Sequence, residues 1–419
     1  MPVVQVEEQV QGRPGIARGM VALLGVAMLL NYADRGSLST VSPVLKDQLG
    51  INNTQVGLLL SSFFWTYSLS QPVAGWIAQR YPVRIVLAIG VGLWSLATMA
   101  CGLAAGFVSL FALRMVLGLG ESVIFPASAR IITEQSREDQ RGTANGISMI
   151  GLALGPTLGT IIGALILRDA GWRWVFYSLG GCSLLWLIPW LCYRGSTVAA
   201  PSAEPATPAP YAQILRQKAL WGACMGQFCY SYPAYMLLTW LPIFLVKVQH
   251  LSVGQMGLAG GLIYLCQAMS AATGGIASDR LIRKAGWSVT MARKTFLSGG
   301  LSIAIVGLII ASTTHGRLFS TLGIVLLAIG IGLCQPMVFA IGQTLAGPRA
   351  AARWMGIQNM AGNFAGVAAP ILTGWLVDHT GSFAASFAAA AAFGLTGIVC
   401  WQWVVPRVEQ TRWSAGGQG

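Results

Sequence analysis

Four charged residues stand inside long apolar runs of this sequence: Asp34, Arg35, Arg114 and Glu121. Each costs on the order of 2.5–3.5 kcal/mol to place at the centre of a bilayer, so four of them require a reason. Arg114 and Glu121 are seven residues apart, so two helical turns bring them back to one face, ~10 Å apart along the axis. At ~1.5 Å per residue, Asp34 falls ~25 Å from the start of its run and Glu121 ~18 Å from the nearer end of its own. An arginine presents a planar fork suited to two-pronged recognition of a carboxylate. A carboxylate in a low-dielectric cavity can take up and release a proton near neutral pH. The plainer reading is a pair of structural ion pairs joining two helices. Buried pairs of that kind are often replaceable by apolar residues without loss, and two pairs concentrated on two runs read as a site.

The elements that position these charges are long and apolar. Only 9% of the 419 residues are charged and 55% are apolar, whereas a soluble domain carries roughly 25% charge. The surplus reads as surface facing lipid, the partner this composition implies. Apolar runs of spanning length cover 17–46, 53–79, 83–104, 107–133, 141–168 and 172–194, then 217–247, 252–278, 291–313, 317–346, 353–377 and 382–405. Between the two sets lies a linker, 195–216, with Pro201, Pro205, Pro208 and Pro210. The expected division is therefore a first six-helix unit over 1–194 and a second over 217–419. The fold class is all-α and membrane-embedded: twelve spans in two pseudo-symmetric bundles.

Charge placement gives the orientation. Of the 26 basic residues, nineteen fall on the side of the N-terminus and five on the other, and the remaining two are Arg35 and Arg114. By the positive-inside rule both termini and the linker are expected in the cytoplasm, in an inner (plasma) membrane. The net charge of +13 is then a basic face toward anionic lipid and needs no nucleic acid partner. The segment before the first run has no small-residue cleavage site, so that run is expected to be retained as a helix. Eight scattered cysteines make no CxxC and His250, His315 and His379 lie at span ends, so neither metal nor organic cofactor is expected. No GxSxG, HExxH or carboxylate pair with a suitable His is present, which removes an enzyme reading; a channel would spread its polar groups along one pore.

The halves repeat. Gly75-x-x-x-Gln79-Arg80-x-x-x-Arg84 recurs 200 positions later as Gly275-x-x-x-Asp279-Arg280-x-x-Arg283-Lys284, and Arg137 and Arg141 recur as Arg349 and Arg353. Six plus six spans in parallel repeat is the arrangement of a secondary transporter with its site between the halves.

The twelve-span layout, the linker and the Gly-x-x-x-Asp-Arg loop resemble the major facilitator superfamily over nearly the whole chain. Asn31-Tyr32-Ala33-Asp34-Arg35-x-x-Leu38-Ser39, Tyr67, Arg114-x6-Glu121, Phe125-Pro126-Ala127 and Thr239-Trp240-Leu241-Pro242 are similar to the signature of its anion:cation symporter family. The resemblance implies proton-coupled uptake of a small organic anion such as a hexonate or hexuronate, by a monomer, with protons as the coupling ion. Geometry and resemblance together give Arg35 the substrate carboxylate, Asp34 and Glu121 the protons, and Arg114 an ion pair with Glu121 that breaks on protonation. Tyr32 and Tyr67 match the pattern as hydroxyl donors, and Tyr232, Tyr235, Tyr264, Gln267, Asn359 and Asn363 are similar polar candidates on cavity-lining spans. Gly75, Arg80, Arg84, Gly275, Asp279 and Arg280 form the loops implied to control conformation. Two departures stand out. Gln79 replaces the usual Asp, and Gly151-x-x-x-Gly155-Pro156-x-x-Gly159 resembles an antiporter motif, which makes a proton-coupled exporter the alternative.

Overall fold

The computed structural model describes residues 18–135, 138–193, 209–314, 316–405 and 407–413, and their regular structure is entirely helical. Twelve rods follow one another. The first six are α1 Arg18–Leu49, α2 Asn53–Arg80, α3 Val83–Gly102, α4 Phe107–Ile132, α5 Glu138–Ala170 and α6 Trp172–Cys192. The second six are α7 Lys218–Val248, α8 Val253–Ala285, α9 Val289–Thr313, α10 Arg317–Gly347, α11 Arg349–Thr380 and α12 Ala384–Val404. Ten are long and apolar enough to cross a bilayer. The other two, α1 and α2, have 32 and 28 residues and are long enough but more polar, because they carry much of the site. Leu69, Ile85, Ile89, Leu103, Val108 and Trp403 are among the large apolar side chains left exposed on the outside, as a surface solvated by lipid tails requires.

The twofold repeat is visible in the helix ends. Asn52 and Gln55 form a reciprocal capping box that starts α2 (Gln55 N to Asn52 Oδ1, 2.8 Å), and Ser252 and Gln255 form the same box at the start of α8. Each satisfies two of the amide donors that a helix start leaves unpaired. At the basic end the repeat continues by other means. Arg84 at the start of α3 donates to the Trp190 and Tyr193 carbonyls that end α6. Lys294 near the start of α9 donates to the Gln402 and Val405 carbonyls that end α12, at 3.1 and 2.7 Å. A cation on a helix C-terminus both pairs orphan carbonyls and opposes the dipole.

Among the described residues, the polar contacts that join the halves gather at the end where α1 finishes, the side poor in basic residues. Asp378 of α11 accepts from the amides of Asn53 and Thr54 (3.1 and 2.7 Å) and from both their side chains (2.7 and 2.6 Å), so a carboxylate of one half caps a helix of the other. Lys247 of α7 pairs with Asp47 of α1. Gly57 and Gly374 allow a close approach of α2 to α11: a Cβ at Gly57 would stand 2.3 Å from the Pro370 carbonyl oxygen, and one at Gly374 2.2 Å from the Asn53 carbonyl oxygen.

The linker from 194 to 208 lies outside the described residues, as do Arg137 and the side chain of Arg141. From Ala209 the chain is held against the start of α11, with Ala209 N donating to the Arg349 carbonyl (3.0 Å) and Arg353 donating to the Ala209 carbonyl (2.8 Å).

Candidate functional site

Two prolines shape the helices that carry the charges. Pro126 lacks an amide proton and crowds the carbonyl four residues back, that of Ser122. There α4 breaks, into Phe107–Glu121 and Ile124–Gln135. Glu121 is thus the last residue of the upper segment, at a helix interruption inside the bundle. In α1, Pro43 removes the bond to the Ser39 carbonyl, and the Ser42 hydroxyl supplies the replacement at 2.6 Å, the repair expected in a dry bundle. Behind α1, Gly155 and Gly159 let α5 lie against the backbone of Leu29 and Ala33 and the Cβ of Tyr32, which fixes the depth and rotation of the site helix.

Arg35 and Glu121 meet across the two helices. Arg35 donates to Glu121 Oε2 from Nη2 at 3.0 Å and from Nε at 3.3 Å, and Nη2 also reaches Asn31 Oδ1 at 3.4 Å. Among the described residues Nη1 takes no acceptor. Three rings enclose the guanidinium, those of Tyr32, Phe63 and Tyr67, with centroids 4.6, 4.8 and 4.6 Å from its carbon. Arg35 is 6% exposed and Glu121 fully buried. The collar holds the fork in place by cation–π attraction and leaves the Nη1–Nη2 edge as the part able to receive a carboxylate.

The partner of Glu121 differs from the expected one. Among the described residues Arg114 makes no ion pair; its Nη2 donates to the Arg35 carbonyl oxygen at 3.4 Å, while Nε and Nη1 are buried without a partner. The seven-residue spacing places Arg114 and Glu121 on one face of α4, but the shorter reach belongs to Arg35 from α1. Asp34 likewise turns away from its sequence neighbour. It accepts from the Ser183 hydroxyl of α6 at 2.9 Å and is fully buried, with Oδ1 unpartnered. Successive helical residues point 100° apart, so Asp34 turns to Ser183 of α6 and Arg35 to Glu121 of α4.

The remaining candidates divide. Tyr32 and Tyr67 form the collar. Tyr235 packs edge-on against Phe64 at 4.5 Å and donates to Asn363 Oδ1 at 2.5 Å, and Asn363 Nδ2 donates to the Asn359 carbonyl at 2.9 Å. Tyr232 is not part of this group: its ring stacks on Phe393 of α12 at 4.2 Å, inside the second bundle. Tyr264 donates to the Leu238 carbonyl at 3.3 Å. The side chain of Gln267 is half-buried and makes no hydrogen bond to the site.

In the loops, Asp279 pairs with Arg293 at 2.8 Å, whereas the first half has Gln79 and uses Arg130 of α4 on the Ala78, Gln79 and Tyr81 carbonyls. Arg80 and Arg280 are exposed, and Arg84 serves α6 as described. A Cβ at Gly75 would meet nothing, and one at Gly275 only the Pro336 ring in ordinary contact.

Three residues escaped the sequence reading. Phe63 looks like a packing aromatic, Ser183 like one of many helix serines, and Asp378 like a loop acid. The Asn52-Asn53-Thr54 helix start was the available hint for Asp378, since a helix N-terminus attracts an anion.

The sequence profile of the Major Facilitator Superfamily matches residues 24–370. A probable sulfoacetate transporter of Cupriavidus necator is 27% identical over 393 residues, 88% of this chain and 90% of its own. A hexuronate transporter of Bacillus subtilis is 28% identical over 391 residues, 90% of this chain and 92% of its own. Among solved structures, a bacterial homolog of the human lysosomal transporter Spinster, inward-facing and occupied, aligns with a TM-score of 0.77 over 92% of this chain and 96% of that one. Its identity is 20%, and the likeness is one of fold.

Proposed function

The chain belongs to the major facilitator superfamily, and on that footing we propose that it takes up a small organic anion by proton-coupled alternating access. The observation that carries this reading is the Arg35–Glu121 contact in its aromatic collar. With Glu121 ionised, its Oε2 occupies two donors of Arg35. A proton on Glu121 cancels the counter-charge and leaves a buried, uncompensated guanidinium, which is costly until another anion replaces it. A substrate carboxylate does so along the Nη1–Nη2 edge. Proton and anion then bind together, which is the thermodynamic requirement for symport.

Asp34, with Ser183 beside it, is the second proton carrier, and Arg114, which holds the Arg35 carbonyl from Nη2, serves as a buried counter-charge for the acids. The glycine run of α5 has a packing role against α1, so it does not by itself favour an exporter. Matched relatives named for sulfoacetate and hexuronate transport support an anionic substrate. The basic face is assigned to the cytoplasm by the charge count, in the inner membrane.

The test is the pH dependence of substrate binding to the purified protein. If binding requires one proton on Glu121, Kd rises by about tenfold per pH unit on the alkaline side of its titration. Glu121→Gln removes that slope. A wild-type Kd independent of pH, or a Glu121→Gln variant that keeps the slope, rules the ion-pair exchange out.

A further inference from the structure

From the hydrogen bond that joins α6 to α1 we infer that Ser183 is a positioning residue whose hydroxyl sets the pH range over which Asp34 releases its proton; this rests on the carrier role given to Asp34 above. Ser183 Oγ donates to Asp34 Oδ2 at 2.9 Å, and both side chains are fully buried. A serine inside a helix ordinarily turns back on its own backbone. In this chain Ser70, Ser95 and Ser178 donate to the Thr66, Val91 and Trp174 carbonyls, each four residues back, at 2.6, 2.7 and 2.7 Å. Ser183 instead sends its proton across to another helix. Gly180, one turn earlier, sets the depth of that hydroxyl by letting α6 lie on α3: a Cβ there would stand 2.7 Å from the Ser95 carbonyl oxygen.

The other groups around this carboxylate leave the task to Ser183. Ser37 donates to the Asp34 carbonyl, not to its carboxylate, and Oδ1 has no partner. The charged and titratable neighbours are Arg114 and Glu121 of α4 and Cys101 of α3. Arg114 donates to the Arg35 carbonyl, Glu121 is held by Arg35, and Cys101 is a buried free thiol. Between 150 and 167, α5 carries no titratable residue. Tyr67 of α2 lies on Arg35, and Tyr235 of α7 donates to Asn363. Among the described residues, Ser183 is therefore the side chain that donates to the Asp34 carboxylate. A hydroxyl can donate to a carboxylate and accept from a carboxylic acid, so the contact outlasts protonation. Its strength does not stay the same, because a hydrogen bond to the charged form is about twice as strong. The hydroxyl thus favours the ionised acid, and without it Asp34 keeps its proton to higher pH.

Infrared titration of the purified full-length protein tests this. The signal is the protonated-carboxyl band that Asp34→Asn abolishes, followed against pH in wild type, Ser183→Ala and Ser183→Thr. We expect the midpoint in Ser183→Ala to move to the alkaline side by about one pH unit, the surplus of a charged over a neutral hydrogen bond. Ser183→Thr restores the hydroxyl and should return the midpoint close to that of wild type. A Ser183→Ala midpoint that stays or moves to the acid side, or a Ser183→Thr midpoint displaced as far as that of Ser183→Ala, overturns the inference and leaves Asp34 a carrier. A wild-type protein in which no titrating band depends on Asp34 overturns the carrier role as well.

Discussion

At the scale of residues, the work falls to the geometry of one guanidinium. Lysine carries the same charge as Arg35 but as a compact ammonium, without the fork and without the flat faces that three rings clasp. Arg35→Lys should insert and fold, since the charge and the Glu121 partner remain. It should lose about ten- to a hundredfold in substrate affinity, the worth of a charge-assisted hydrogen bond, as read by titration of the purified variant. Affinity within threefold of wild type would remove Arg35 as the carboxylate clamp. Asp34, Arg35, Arg114 and Glu121 were legible in the sequence because a charge inside an apolar run is costly and conspicuous. Their pairing was not. Helical period fixes which residues share a face of one helix, but the partner of Glu121 came from 86 positions away and that of Asp34 from 149. Tyr232 was misplaced for the same reason: three residues from Tyr235, it lies on a face of α7 that turns to α12.

At the scale of elements, proline-freed carbonyls become contacts between the halves. Pro242 removes the amide that would bond the Leu238 carbonyl. The Ser39 hydroxyl of α1 lies 2.8 Å from that oxygen and 2.8 Å from the Thr239 carbonyl, and the Tyr264 hydroxyl of α8 reaches the Leu238 carbonyl at 3.3 Å, so α1 and α8 together repair a defect in α7. Ser39→Ala should therefore destabilise the arrangement by about 0.5–1.5 kcal/mol, the net worth of one hydrogen bond. In a Pro242→Ala background the helix recovers its own amide, and Ser39→Ala should cost less. A double-mutant cycle on thermal unfolding reads that coupling; additive costs would mean that Ser39 does not serve the proline break. The spans themselves were readable to within a few residues at most ends. The break in α4 lay in plain view at Pro126, but its consequence, Glu121 at a helix end, needed the fold.

At the scale of the whole molecule, two repeated bundles meet at a seam, and polar contacts at one end join them. Asp378 makes four hydrogen bonds to the start of α2, more than any other side chain between the halves among the described residues. Asp378→Ala removes all four and should populate a state open at that end. Spin labels at Leu103 and Phe319, exposed residues of opposite halves near that end, would report a longer distance component. An unchanged distribution would show that other contacts hold the seam. The capping boxes at Asn52 and Ser252 repeat at the same 200-residue offset as the Gly75 and Gly275 loops. The seam contacts were not legible from that offset, because symmetry within the chain says nothing of which ends touch in a given state.

The central claim is that Glu121 couples the proton to the anion by exchanging with it on Arg35, and Glu121→Gln in proteoliposomes tests it most directly. The amide keeps a carbonyl oxygen near Arg35 but can neither ionise nor carry a proton. Labelled glucuronate is followed in two modes on the same preparation, counterflow without a gradient and uptake against its own gradient with an inward proton gradient imposed. The account predicts that the variant retains counterflow and fails to concentrate the substrate. A Glu121→Gln protein that still accumulates glucuronate on a proton gradient, to the wild-type level, would contradict it.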